Sequence, residues 1–179
     1  MSEQLTLVTS SADQTRALAR ALALRCVPGD IMLLAGDLGA GKTTFAQGFG
    51  AGLGIDEAIT SPTFTLVRQY PVDRVPGPDD GPGSGIRCLL HADVYRLDHL
   101  VEIADLGLGE LVEDGGVALV EWGDAARPVL GRGSLGLRLT AGDDDDEDRR
   151  LIEVERADDR WVARWPALRA AVEPWLTAA

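Results

Sequence analysis

Continuous apolar runs and apolar residues at helical spacing alternate along the chain, and they predict strands and helices in turn. The runs at residues 31–35 and 117–122 are typical of strands that are buried on both faces of a sheet. Shorter strands are predicted at residues 4–8, 63–70 and 86–93. Strands that alternate with helices favour an α/β fold with a largely parallel sheet.

Helical patterns fill much of the space between these strands. A helix is predicted over residues 10–26, where Ser11 and Gln14 have the spacing of a capping box. A second helix is predicted to begin at Lys42, and we expect its glycines to pack closely against the sheet. Residues 97–114 have a helical pattern that glycines interrupt.

Two segments rich in turn-forming or acidic residues are predicted to be loops. Residues 134–140 and 150–156 have the pattern of an antiparallel hairpin around an acidic run at residues 143–148. Residues 72–85 are rich in proline, glycine and aspartate, which is typical of a mobile hairpin tip or insertion. We expect residues 1–179 to form a single domain in which the segments 72–85 and 141–149 are mobile.

The composition excludes several classes of protein. The chain carries 29 acidic and 17 basic residues, and this net charge of −12 disfavours direct binding to nucleic acid. Cys26 and Cys88 lack the spacing of a zinc site, and we expect them to be buried thiols in a reducing cytosol. The sequence has neither a signal-peptide pattern nor an apolar run of membrane-spanning length. These features predict a soluble, cytoplasmic protein.

The segment GDLGAGKT matches the phosphate-binding pattern G-x-x-x-x-G-K-[ST] in full, between a predicted strand and a predicted helix. Its glycines allow backbone N–H groups to converge on phosphate oxygens. Lys42 would add a charge at the β- and γ-phosphates, and the Thr43 hydroxyl would bind Mg²⁺. The predicted nucleotide-binding residues of this segment are Gly36, Asp37, Leu38, Gly39, Ala40, Gly41, Lys42, Thr43 and Thr44.

Two acidic residues at the ends of predicted strands are candidates for a second metal ligand. Glu121 ends an apolar run, and Asp93 ends the strand CLLHAD. Either could hold Mg²⁺ while the other orients an attacking water. Glu121 could instead be a surface acid, and Asp93 could be the N-cap of a following helix.

Three further groups of residues have alternative interpretations. Ser61 and its neighbours in SPTFT could sense a γ-phosphate as a switch does, or could form a plain Ser-Pro turn. His91 has no metal partner at suitable spacing, and we expect it to be a satisfied strand residue. Trp161, Trp165 and Trp175 are expected to pack or to mediate contacts rather than to stack on bases.

The sequence favours ATP over GTP and leaves more than one activity open. The N-K-x-D stretch of a GTPase is absent, and no D-x-x-G switch follows a predicted buried strand. The first interpretation is a P-loop ATPase. The alternatives are a small-molecule P-loop kinase and a nucleotide-gated binding module that hydrolyses ATP only incidentally.

The motifs GDLGAGKTTF, SPTFTLV, HADVYRL and LVEW follow one another in this order, and together they resemble the TsaE (YjeE) family. The resemblance covers most of residues 5–140. It implies a P-loop NTPase-type three-layer α/β sandwich with a central mixed, mainly parallel sheet and an antiparallel hairpin. It also implies a Mg²⁺-dependent ATPase of low intrinsic activity in the synthesis of N6-threonylcarbamoyladenosine (t6A) in tRNA. The implied partners are TsaD, which carries out the transfer, and TsaB, with tRNA reached only through the complex.

The resemblance also implies roles for individual residues. It makes Lys42 and Asp93 the catalytic residues, with Asp93 near the γ-phosphate, and it makes Thr43 and Glu121 the metal ligands. Ser61, Pro62 and Thr63 match a first nucleotide-sensing switch, and HADVYR matches a second.

Four further residues in or next to the matched motifs have less defined roles. Tyr95, Arg96 and Trp122 match motif positions without an assigned role, and the neighbours of Asp93 in HADVYR would couple the site to a partner. Gly123 departs from the family pattern, in which proline commonly follows the tryptophan, and this departure predicts a less rigid turn.

Overall fold

The computed structural model of the protein describes residues 3–62, 64–73, 85–97, 99–143, 146–156 and 159–177. Thr63, most of the predicted insertion at 72–85 and part of the acidic run lie outside the described residues. The strands are β1 (Gln4–Thr9), β2 (Ile31–Ala35), β3 (Val67–Pro71), β4 (Cys88–Asp93), β5 (Gly116–Glu121), β6 (Leu135–Ala141) and β7 (Arg150–Arg156). The helices are α1 (Ala12–Ala23), α2 (Lys42–Gly52), α3 (Leu100–Asp105), α4 (Leu108–Glu113), α5 (Gly123–Leu130) and α6 (Trp165–Ala171).

The described strands form one mixed sheet in the order β1-β7-β6-β2-β5-β4-β3. Its central strands β6, β2, β5 and β4 are parallel to one another. Both edges are antiparallel, because β3–β4 and β6–β7 are hairpin pairs and β1 pairs with β7. The predicted mixed sheet with a hairpin is confirmed, and its parallel part is confined to the centre.

Apolar side chains on both faces of the sheet pack against helices, which gives three layers. One core lies beneath α1, α2 and α6, and it contains Trp161 and Trp165, with Trp175 packed against it. The other core lies beneath α3, α4 and α5. The tryptophans therefore pack in or against the core, as expected. Within the described residues, each helix is too short or too polar to span a bilayer.

The glycines of α2 allow a close approach to α1. A Cβ atom at Gly48 would lie 2.3 Å from the carbonyl oxygen of Arg16, and one at Gly52 would lie 2.7 Å from the Cβ of Ala23. The expectation of close packing is confirmed, but the neighbour is α1, not the sheet. These contacts fix the axis of α2, and therefore the direction of its first turn.

Several predicted boundaries differ from the structure. The third strand begins at Val67 rather than at residue 63, because Leu66 has a φ of 63° and its N–H donates to the carbonyl of Pro62 in a turn. The N-cap of α1 is Ser11, whose Oγ accepts from Gln14 N, as predicted. The Gln14 side chain accepts from the N–H of Ser10 rather than from that of the cap residue.

A buried ion cluster attaches the C-terminal segment to the start of β2. The Asp30 carboxylate is fully buried. It accepts from Arg160 Nε at 2.9 Å and from Arg164 at 2.6 and 2.8 Å, and from the N–H of Val27 at 2.8 Å. The Arg164 guanidinium also lies 3.9 Å from the ring centroid of Trp161. A buried carboxylate with four donors is fully compensated, and removal of it would leave two arginines without their partner.

Candidate functional site

The glycine-rich loop lies between β2 and α2, where the carboxyl ends of the parallel strands meet. Gly36, Gly39 and Gly41 have φ values of 144°, 81° and 101°, a region in which side chains are strained. A Cβ at Gly36 would also lie 2.4 Å from the carbonyl oxygen of Leu139. The loop conformation therefore requires the glycines that the motif supplies.

Lys42 is the first residue of α2 and is only 6% exposed. Its ammonium donates to the carbonyls of Gly36 at 2.7 Å and Asp37 at 2.8 Å, and it lies 4.1 Å from the ring centroid of Trp122. Burial lowers the pKa of this ammonium and outweighs the nearby carboxylates, of which Glu121 is the strongest in the opposite direction. A buried ammonium held in this way favours an incoming anion, which would restore part of its lost solvation.

Asp93 and Glu121 end neighbouring parallel strands and are register partners. They are 4% and 3% exposed, so neither is a surface acid. Because β4 and β5 end at the same edge of the sheet, both carboxylates lie beside the glycine-rich loop. The structure thus brings the two predicted acids together at the glycine-rich loop.

Glu121 is paired with His91 inside the protein. The His91 ring is fully buried, and its Nε2 lies 2.8 Å from Glu121 Oε1. Nδ1 has no hydrogen-bond partner among the described residues. If Glu121 is ionised, the tautomer with hydrogen on Nε2 donates to the carboxylate and fixes its orientation. The sequence predicted a satisfied strand residue, but the identity of its partner required the register of β4 against β5.

The Asp93 carboxylate is held on both oxygens. Oδ1 accepts from the N–H of Tyr95 at 3.0 Å, and Oδ2 accepts from Ser61 Oγ at 3.2 Å. The interpretation of Asp93 as a helix N-cap is wrong, because the next helix begins at Leu100 and Asp93 instead closes a local turn. The contact with Ser61 connects the predicted first switch to the second.

Tyr95 and Trp122 form an aromatic wall beside Lys42. Their ring centroids are 4.7 Å apart, and Trp122 has a φ of 61°, a left-handed conformation that is rare for a bulky residue. A Cβ at Gly123 would lie 2.6 Å from the Cβ of Leu33. Gly123 therefore packs directly on β2, and this contact opposes the looseness predicted for the turn.

These side chains line one cavity of about 510 Å³. Its lining residues are Leu38, Gly39, Gly41, Lys42, Thr43, Thr44, Ser61, Asp93, Tyr95, Glu121, Trp122 and Arg150. Of the predicted residues, Gly36 and Asp37 line an adjacent cavity of about 280 Å³, and Ala40 is buried beneath the loop. Thr63 lies outside the described residues. Arg150 was missed, because nothing in the sequence joins it to a loop more than a hundred positions away.

The cavity combines groups that suit an anion with groups that suit a hard cation. The first turn of α2 and Lys42 favour negative charge. The Thr43 hydroxyl and the carboxylates of Asp93 and Glu121 are the oxygen donors that Mg²⁺ prefers. Within the described residues, no group of three His, Cys, Asp or Glu side chains could hold a metal alone. This donor set fits an ion that completes its shell with phosphate oxygens and water, as Mg²⁺ does.

The chain was compared with families, curated proteins and solved structures. Residues 9–151 match the family model of the threonylcarbamoyl adenosine biosynthesis protein TsaE. Two relatives are named tRNA threonylcarbamoyladenosine biosynthesis protein TsaE. The one from Bacillus subtilis is 40% identical over 81% of this chain and 84% of its own length. The one from Streptomyces coelicolor is 41% identical over 82% and 93%.

A solved structure extends the likeness to the fold. The crystal structure of Bacillus subtilis YdiB superposes with a TM-score of 0.64 and 32% sequence identity, over 97% of both chains. The family model covers well over half of the chain and includes the loop, both acids and Trp122. The chain therefore belongs to the TsaE family.

Proposed function

We propose that this protein is the ATP-binding and ATP-hydrolysing component of the machinery that makes N6-threonylcarbamoyladenosine in tRNA. The observation that carries the proposal is the convergence of Lys42, Asp93 and Glu121 on the glycine-rich loop in one cavity. The names of the relatives support the pathway, since they are described as tRNA threonylcarbamoyladenosine biosynthesis proteins. In this proposal, hydrolysis supports turnover of a TsaD–TsaB transferase complex.

The proposed ligands are ATP or ADP with Mg²⁺. The N–H groups of the loop and the Lys42 ammonium would hold the phosphates, while Thr43 and Glu121 would hold the ion. The bound ion would neutralise charge on the phosphate oxygens, which matters here because carboxylates surround Lys42. Without a bound cation, the carboxylates of Asp93 and Glu121 would repel the negatively charged phosphates.

Asp93 is the proposed catalytic acid-base residue. Hydrogen bonds from the Tyr95 N–H and the Ser61 hydroxyl restrain the carboxylate, and both of these donors are uncharged. A carboxylate held in this way can orient an attacking water and accept its proton. Glu121 is assigned to the ion rather than to the water because His91 restrains its carboxylate from behind.

The proposed partners are TsaD and TsaB, with tRNA reached only through them. Large apolar side chains stand out near the cavity: Leu38 is 92% exposed, Phe64 is 87% exposed and Tyr95 is 61% exposed. Leu38 and Tyr95 both line the cavity, and apolar side chains exposed around one opening support the proposal of a protein-binding surface there. The net charge of −12 opposes direct contact with tRNA. Partner docking over this rim would connect assembly to the nucleotide site.

The direct test of nucleotide binding is the variant Lys42→Ala. Loss of a buried cation that faces phosphate is expected to weaken ATP binding on the order of tenfold to a hundredfold, measured by calorimetry with Mg²⁺. Arg132→Ala is the matched control, because it also removes one positive charge but lies outside the cavity. Equal affinity of Lys42→Ala and the wild type would remove the basis of the proposal.

A second prediction uses the fact that Lys42 is the only lysine in the chain. In protein labelled with ¹³C at the lysine ε-carbon, one NMR signal therefore reports its titration. We expect a pKa below the ordinary lysine value, because burial disfavours the charged form, and a rise in this pKa when ADP is added, because phosphate favours it. An unchanged pKa at saturating ADP would show that phosphate does not reach the ammonium.

A further inference from the structure

The Arg150 guanidinium joins the β6–β7 hairpin to the glycine-rich loop. Arg150 is the first residue of β7, and its side chain lines the same cavity as Lys42. Nε donates to the carbonyl of Ala40 at 3.0 Å, and Nη2 lies 3.5 Å from that of Gly39. Nη1 donates to the carbonyls of Glu147 and Arg149, within the hairpin loop. One side chain therefore contacts two segments that are far apart in sequence.

One of the carbonyls that Arg150 contacts, that of Ala40, shares its peptide with the N–H of Gly41 in the glycine-rich loop. The other, that of Gly39, shares its peptide with the N–H of Ala40, which donates to the carbonyl of Asp37 within the loop. In a loop that cradles an anion, N–H groups point inwards and the carbonyls of the same peptides point outwards. The carbonyls of Ala40 and Gly39 face Arg150 at 3.0 and 3.5 Å, so the guanidinium restrains both peptide planes, including the one that carries the Gly41 N–H. The guanidinium also packs over the loop, since a Cβ at Gly41 would lie 3.5 Å from its Nε.

We propose that Arg150 is a positioning residue that pre-organises the glycine-rich loop for phosphate binding. The proposal rests on the proposed function and adds a residue to that site. The guanidinium acts on the ligand through the loop, because its donors are directed at carbonyl oxygens. It also couples the site to the hairpin loop, whose carbonyls hold the other end of the guanidinium. A partner that shifts the hairpin would therefore shift the loop.

The experiment compares Arg150→Gln, Arg150→Lys and Arg149→Gln with the wild type. Arg149→Gln is the matched control, because Arg149 is the exposed neighbour and the change in net charge is identical. ADP and ATP affinities are measured by calorimetry, and hydrolysis is measured at saturating ATP. Deuterium exchange of the peptide that covers residues 36–41 is followed in protein without added nucleotide.

We expect Arg150→Gln to weaken ADP and ATP binding about tenfold and to speed exchange in the loop, with hydrolysis at saturating ATP changed less than about threefold. Arg150→Lys keeps the charge and one donor group, so its affinity should be intermediate. Arg149→Gln should match the wild type. A merely structural role in the hairpin would leave loop exchange and affinity unchanged.

Three results would overturn the proposal: wild-type affinity in Arg150→Gln, an equal loss in Arg149→Gln, or a loss of saturated hydrolysis with unchanged affinity. The last would indicate direct action on the transferred phosphate. If Arg150→Gln does not fold, the Arg150→Lys variant provides the test. Wild-type nucleotide affinity together with wild-type exchange in the loop of that variant would contradict the proposal. If the wild type binds no nucleotide, the proposed function fails, and the exchange comparison still decides whether Arg150 orders the loop.

Discussion

The variant Asp93→Ala is expected to bind ATP within about threefold of the wild type and to lose hydrolysis by about a hundredfold or more. The size of the loss follows from the usual contribution of a positioned general base. Binding should persist because the proposed phosphate-holding groups belong to the loop and to Lys42, whose ammonium is held by the carbonyls of Gly36 and Asp37. Single-turnover hydrolysis and calorimetry separate the two quantities.

Asp93→Asn distinguishes the charge of this residue from its structural role. Asparagine retains an oxygen that can accept from the N–H of Tyr95, so the local turn should remain. We expect the same loss of hydrolysis as in Asp93→Ala, because an amide does not accept the proton of water. Asp105→Asn, at an exposed position in α3, is the matched control and should behave as the wild type. Normal hydrolysis in both Asp93 variants would refute the assignment.

The second large effect is expected from Asp30→Ala, which should lower the free energy of unfolding by about 2–3 kcal/mol. The carboxylate is fully buried and accepts from Arg160 and Arg164, which are 41% and 22% exposed, so its removal takes charge-assisted hydrogen bonds from two partly exposed guanidinium groups. Urea denaturation of both proteins measures the difference. The C-terminal segment would lose its attachment to β2, so proteolysis should also begin there.

A surface ion pair supplies the control for Asp30. Glu57 pairs with Arg68, and both side chains are about half exposed at 53% and 43%. Glu57→Ala should therefore cost less than about 1 kcal/mol, because water and salt screen such pairs. If Asp30→Ala proves as mild as Glu57→Ala, the buried cluster contributes little to stability.

The sequence predicts most of the elements that build the site. The apolar runs of β2 and β5 locate two central strands, and the glycine spacing locates the loop. Because parallel strands end at a common edge, the convergence of Asp93 and Glu121 also follows from their positions at strand ends. The expectation that both acids lie near the loop therefore rests on local pattern and on a general rule of sheet topology.

The features that the sequence did not predict depend on contacts between segments that are far apart in sequence. The pairing of His91 with Glu121 follows from the register of β4 against β5, which no local pattern encodes. The contact of Arg150 with Ala40 spans 110 positions, and that of Asp30 with Arg164 spans 134. The sequence alone does not distinguish these charged residues from those that lie on the surface without such partners.

Helix α5 was missed for a local reason. It begins with a glycine and contains Pro128, both of which lower intrinsic helix propensity. Packing against β2 and α3 overrides that preference. The early start predicted for β3 reflects the opposite error, since the β-branched and apolar residues before Val67 suggested a strand where Leu66 makes a turn.

The measurement that tests the central claim most directly is ATP hydrolysis by the purified protein, alone and with TsaD and TsaB from the same source. We predict a low rate for the protein alone and a clear rise when both partners are added, because in the proposed complex the partners would cover the exposed apolar rim of the cavity. The Asp93→Asn variant should show no such rise. An unchanged rate, despite complex formation verified by size-exclusion chromatography, would contradict partner-stimulated turnover. A rise that instead required a small-molecule hydroxyl acceptor would favour the kinase alternative.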